Sequence, residues 1–229
     1  MGARAKAIFP LALVIGVLSF LWTEFSLNFT FQWVTDGDLG IGLNLPSNFH
    51  LILPTAFIAW GLFFAAGGDN AAFGKVFLAA VFGTVAALVT MPLSFKTADL
   101  DAAGKEAPFW GIALWVGIFA FVLVMILVAG DWYYVAGTFP CFASVFLWWI
   151  ATGLDGWAPN GGGVGNSIEA LGSPGTAGAG AFGGVLSTPW GWVWFNTFLS
   201  LVCGCVLGIL SAKLAAALTP KPKAAAEAA

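Results

Sequence analysis

The sequence predicts an all-α, polytopic membrane bundle of six transmembrane helices, and three observations carry that prediction. Six apolar stretches each approach the ~20 residues that a helix needs to cross ~30 Å of hydrocarbon. Charged residues make up only 8% of the chain, about a third of the share usual in a soluble domain. The mean hydropathy is +0.93. Runs this long exclude membrane strands, which need only ~10 residues and alternate in polarity.

The first span is expected over residues 8–27. Arg4 and Lys6 precede it as they would a signal peptide. The run outlasts a signal h-region, however, and no small-x-small site closes it, so it reads as a retained helix that doubles as the insertion signal. A loop over 28–48 follows, with Asp36, Asp38 and several turn formers. The second span covers 49–66 and carries Pro54 early. The tight connection Gly67–Ala71 contains Gly68-Asp69, whose carboxylate is expected to cap the third span, 72–93. A short mixed-charge loop, 94–108, holds Lys96 and Lys105 among Asp99, Asp101 and Glu106. The fourth span is 109–129. Gly130–Trp132 repeats the Gly-Asp pattern before the fifth span, 133–152, where Pro140 again lies early. A long glycine-rich loop without lysine, 153–190, is of a length that is usually functional or disordered. Its stretch Gly178–Ser187 is apolar enough for a re-entrant piece, against the plainer reading of a surface loop. The last span is 191–212. Pro220 and Pro222 then close a single transmembrane domain, 1–218, and leave a disordered tail, 219–229.

Lysine and arginine orient the bundle. With six spans, Arg4, Lys6, Lys75, Lys213, Lys221 and Lys223 share one side, and only Lys96 and Lys105 lie opposite. The positive-inside rule then puts both termini in the cytoplasm of a bacterium and the chain in its inner membrane. Trp22, Trp110, Trp148, Trp149, Trp190, Trp192 and Trp194 fall near outer helix ends, and Trp132, Tyr133 and Tyr134 near an inner end. An aromatic belt at headgroup depth accounts for them.

The chain also divides into three helices plus three. Pro54 and Pro140 sit in the second helix of each half. Gly83-Thr84-Val85 and Gly204-Cys205-Val206 are similar words in the third. Because three is odd, such halves would run in opposite directions, as in many transporters; chance similarity between apolar words is the competing explanation. Gly204 with Gly208, and Gly61 with Ala65, form small-xxx-small steps that mark close helix contacts, within one chain or between subunits.

Chemistry is sparse. Ionisable residues in spans are functional by default, and Glu24 is the main one, near the outer end of the first span. It is a candidate for binding a cation, relaying a proton, or pairing with Lys96 or Lys105; a carboxylate reaching the headgroups is the plainer alternative. His50 is the sole histidine, at similar depth, so a Glu24–His50 pair is conceivable while bis-histidine haem is excluded by count. One histidine among scattered carboxylates makes no metal site. Cys141, Cys203 and Cys205 read as small buried hydrophobes. Gly161–Gly165 lacks the lysine and hydroxyl of a P-loop. No nucleophile–base set appears, so neither enzymatic activity nor a cofactor is expected. No basic tract suits nucleic acid.

Four words carry a resemblance: Ala56–Gly67 (AFIAWGLFFAAG), Phe77–Leu88 (FLAAVFGTVAAL), Gly137–Ser144 (GTFPCFAS) and Leu201–Ser211 (LVCGCVLGILS). In this order the chain resembles a family of small six-helix bacterial inner-membrane proteins of unassigned function, known from enteric bacteria. The resemblance implies location and helix count and supplies no site residues; loops 28–48 and 153–190 depart from it. Two functions remain open. The first is a channel or transporter for a small solute, its path lined by Thr55, Thr84, Thr138 and Ser144, whose hydroxyls bond without charge. The second is a non-catalytic accessory subunit of a larger membrane complex. Expected partners are the lipid bilayer, and either further copies of the chain or other membrane subunits.

Overall fold

A computed structural model describes residues 2–27, 46, 48–97, 110–152, 155 and 188–219. These form six helices: α1 (Ala3–Glu24), α2 (Leu53–Ala65), α3 (Asn70–Lys96), α4 (Trp110–Met125), α5 (Val135–Ala151) and α6 (Trp190–Leu218). Among the described residues no strand occurs. A π turn carries α1 on to Leu27, and a 3₁₀ turn, Ile126–Ala129, extends α4. With these turns α1 and α4, together with α3 and α6, are long and apolar enough to cross a membrane, which marks the chain as a membrane protein. The other two are shorter. α2 has 13 residues and α5 has 17, or ~20 and ~26 Å at ~1.5 Å per residue, less than the ~30 Å hydrocarbon core.

The second expected span, 49–66, is therefore corrected at its start. Residues 49–52 are not helical, and α2 opens at Leu53 with Pro54 in its first turn. Proline disfavours helical geometry in the residue before it and lacks an N–H, so it fits a first turn, where no helical acceptor exists anyway. His50, Leu51 and Ile52 are nevertheless buried, at 1%, 4% and 3% exposure. The chain thus enters the bundle in a non-helical form and only then coils. Other ends shift modestly: α1 begins ahead of Pro10, and α6 runs on to Leu218. Loops 28–48, 94–108 and 153–190, the stretch Gly178–Ser187 and the tail fall almost wholly outside the described residues.

Side-chain contacts give the helix directions. Asn48, Ile52 and Ala56 meet Asn196, Ser200 and Gly204 in that order, so α2 runs parallel to α6. Gly137 lies against Ala79, Thr138 against Gly83, and Trp149 against Phe95, so α5 runs parallel to α3. Thr97 at the end of α3 accepts a hydrogen bond from Trp115 Nε1 (3.1 Å), and Phe82 meets Trp132 beyond α4, which makes α3 and α4 antiparallel. Leu13 and Val14 lie near Leu214 and Leu218, and Trp22 clusters with Leu199 and Cys203, so α1 is antiparallel to α6. The most extensive packing is α3 on α5 and α2 on α6, then α3 on α6; α4 leans on α3, and α1 on α6. One buried cluster groups Met91, Phe142, Val145, Trp148, Trp149 and Val193, and a second groups Phe63, Val76, Cys141, Leu201 and Cys205.

The α2–α3 turn closes by a defined device. Gly68 N–H donates to Phe63 O (2.9 Å) and Gly67 N–H to Phe64 O (3.1 Å), the paired bonds of a Schellman motif. Both glycines have positive φ, 122° and 71°. Asp69 then accepts from Ala72 N–H (2.7 Å), the expected cap. Asp131 does not repeat it: the N-cap of α5 is Tyr134, without a side-chain cap bond. Gly68→Val should cost about 1–2 kcal/mol, the penalty of a side chain in left-handed backbone. A thermal-unfolding midpoint in mild detergent that matches wild type would contradict that expectation.

Two further expectations change. Trp22, Trp148 and Trp149 are buried at 6%, 4% and 0% exposure, so they belong to the protein interior and not to a lipid-facing belt. Trp22 Nε1 donates to Leu53 O (3.2 Å) and ties α1 to the start of α2. Trp149 Nε1 donates to Asp155 O (2.9 Å), and the Asp155 carboxylate accepts from Trp190 N–H (2.9 Å) at the α6 N-terminus, where a negative charge is favoured. The Gly61–Ala65 step makes no close contact within the chain, since a β-carbon on Gly61 would meet nothing within 4 Å.

Candidate functional site

One face of α6 carries Asn196, Ser200, Gly204, Gly208 and Ser211, all buried and spaced three or four residues apart. That spacing places them in one row on a helix. The row meets α2 and its approach along its whole length. Asn196 Nδ2 donates to Asn48 O (2.8 Å), and Ser200 Oγ accepts from Ile52 N–H (2.8 Å). Gly204 lies against the Ala56 carbonyl, and Gly208 against the Phe63 ring. Ser211 Oγ accepts from Trp60 Nε1 (3.0 Å). The row is a seam in which absent side chains allow backbone contact and polar side chains serve groups of the neighbouring segment.

Asn196 stands apart within it. Its side chain is 0% exposed. Asn48 O can only accept, so the amide must turn Nδ2 toward it, and the orientation is fixed by that bond. Oδ1 is then buried with no hydrogen-bond partner among the described residues. Asn196 carries neither a charge nor a hydroxyl, the two features that mark candidate sites in so apolar a sequence. An amide six positions into an apolar span was the available signal.

The expected site residues are distributed. Glu24 is exposed at the end of α1, whereas His50 is buried on the approach to α2, its ring edge-on to Trp148 with centroids 6.3 Å apart. Thr138 lies at the α3–α5 crossing, where a β-carbon on Gly83 would sit 2.5 Å from its carbonyl oxygen, and Thr84, the next residue along α3, is buried. Their hydroxyls donate to carbonyls of their own helices, Ala80 O (2.7 Å) and Tyr134 O (3.0 Å). Thr55 is buried beside the α2–α6 crossing. Ser144 donates to Pro140 O (2.7 Å) and lines a separate apolar groove of about 750 Å³ between α4 and α5, with Ile58 of α2 at its edge. Cys141, Cys203 and Cys205 are free thiols.

No curated relative and no solved structure shows significant similarity to this chain. A family model does, and it accords with the resemblance to proteins of unassigned function. It is described as a protein of unknown function (DUF1097) and matches residues 12–216, so the chain belongs to the DUF1097 family.

Proposed function

We propose that the chain is a non-enzymatic channel or transporter for a small solute, built from two inverted three-helix halves that each cross the membrane three times. One observation carries the reading: the two main helix crossings correspond when α1–α3 is exchanged for α4–α6. In each, a glycine near the middle of a long helix meets the carbonyl of the fourth residue of a short, parallel helix. Gly204 of α6 meets Ala56 O of α2, and Gly83 of α3 meets Thr138 O of α5. The peripheral helices correspond as well, α1 leaning on α6 and α4 on α3. Every one of these interfaces joins one half to the other. Inverted halves with short or interrupted helices at matching places are characteristic of transporters. The charge distribution supports an inner-membrane location with both termini cytoplasmic.

Purified protein in liposomes tests this directly. An osmotic step with glycerol or urea, followed by stopped-flow light scattering, should give faster re-swelling than protein-free vesicles. Equal rates for every small solute tried would sink the proposal. The accessory-subunit reading draws on the outward apolar faces of α1 and α4, such as Phe20 and Phe121 at 64% and 66% exposure. Lipid covers such faces equally well. Foreign subunits held in fixed proportion after gentle extraction would favour that second reading.

A further inference from the structure

We infer that Asn196 is where the bundle binds a small neutral hydrogen-bond donor, an uncharged amide, amine or alcohol. This rests on the transport reading and names the solute class for it. Buried polar atoms in proteins are almost always hydrogen-bonded, and each exception calls for an explanation. Asn196 Oδ1 is one of several such atoms among the described residues, and it is an acceptor. Nδ2 of the same amide is committed to Asn48 O at 2.8 Å, so a flip would set two acceptors against each other. The hydroxyls beside it on α6 supply no proton to it. Ser200 donates to Asn196 O (2.7 Å) and Thr197 to Val193 O (2.8 Å). Oδ1 therefore has no partner among the described residues, although it lies in an otherwise satisfied seam.

Position and chemistry both suit a solute. Asn196 lies about 9 Å into α6 at ~1.5 Å per residue, between the helix start and the tight Gly204–Ala56 crossing. The groups on hand are neutral oxygens and aromatic rings: Asn48 O, Ser200 Oγ, the Phe49–Phe195 pair at 6.4 Å, and His50 against Trp148. One amide oxygen without a carboxylate is a poor substitute for a cation's hydration shell, but it is sufficient for an N–H or O–H donor.

The test uses the full chain in liposomes, with urea and glycerol as neutral probes and a K⁺ gradient read by a voltage-sensitive dye. Wild type should pass at least one neutral probe and not K⁺. Asn196→Leu should slow that probe about tenfold, roughly the factor one ordinary hydrogen bond supplies. Asn196→Gln keeps the amide but moves its acceptor by one methylene, and it should change the ratio of urea to glycerol rates. If the leucine variant does not fold, that ratio decides the matter. Wild-type vesicles no faster than protein-free ones would overturn the transport reading and this inference with it. Wild-type flux that neither variant alters would overturn the Asn196 site alone. K⁺ flux abolished by Asn196→Leu would overturn the neutral-donor class.

Discussion

Gly204→Ala should destabilise the bundle by about 3 kcal/mol, the upper part of the usual range for overpacking, and Gly83→Ala should follow closely. The reason is what each new methyl would strike. On Gly204 it would fall inside the contact distance of Ala56 O, with Ala56 C and Cα both at 2.9 Å. On Gly83 it would lie 2.5 Å from Thr138 O and 2.7 Å from Phe142 N. These are backbone atoms of packed helices and cannot rotate aside as a side chain would. Either the helices separate or the mutated helix shifts, and both outcomes open contacts along a whole seam. Gly61→Ala is the control, because nothing lies within 4 Å of its added methyl. There alanine should be neutral or stabilising by up to ~1 kcal/mol through helix propensity. Unfolding in mild detergent, followed by tryptophan fluorescence, reads all three. If Gly204→Ala and Gly61→Ala unfold at the same point, the close crossing is wrong. If Gly83→Ala is harmless while Gly204→Ala is not, the correspondence between the two halves loses its main support.

Six apolar runs separated by turn formers made the six helices of the described residues legible in the sequence, and four of them are long and apolar enough to cross a membrane. The sequence could not say which way those helices face. A helix that is apolar all round has no face signal, so Trp148 and Trp149 read as belt residues although they pack inside. The same ambiguity covers the glycine steps: within the chain Gly204-x-x-x-Gly208 makes contact and Gly61-x-x-x-Ala65 does not, at identical spacing. Pro54 was visible, but a proline near the start of an apolar run fits a kink as well as a first turn. Only the non-helical approach through His50 and Ile52 distinguishes them. Thr55, Thr84, Thr138 and Ser144 carry hydroxyls with the capacity to bond a solute. In a helix that capacity is readily met by the carbonyl one turn back, as it is at Thr84, Thr138 and Ser144. Asn196 and Ser200 differ because their partners lie on the non-helical approach to α2, distant in sequence, where no local pattern points.

That distinction gives the second large effect. Ser200→Ala should cost about 2 kcal/mol, whereas Thr90→Val, which keeps the side chain's shape, should cost well under ~1 kcal/mol, although both remove one buried hydroxyl. Thr90 Oγ1 only donates, to Ala86 O of its own helix (2.8 Å). Removing it leaves a carbonyl that a helical N–H can still serve. Ser200 Oγ also accepts from Ile52 N–H (2.8 Å). Ile52 is the N-cap of α2 in extended geometry, φ −87° and ψ 104°, so its N–H has no acceptor one helical turn back. It is 3% exposed, which keeps water from taking the place of the lost hydroxyl. A backbone donor stranded in an apolar interior is a larger loss than a hydrogen bond exchanged for nothing, and that asymmetry sets the order of the two variants. Ser200→Thr, which keeps the oxygen, should recover most of the difference if the extra methyl is accommodated. Denaturation midpoints of the three variants in one detergent measure it. Equal losses for Ser200→Ala and Thr90→Val would mean that Ile52 finds another acceptor, and that the non-helical entry into α2 does not depend on the hydroxyl beside it.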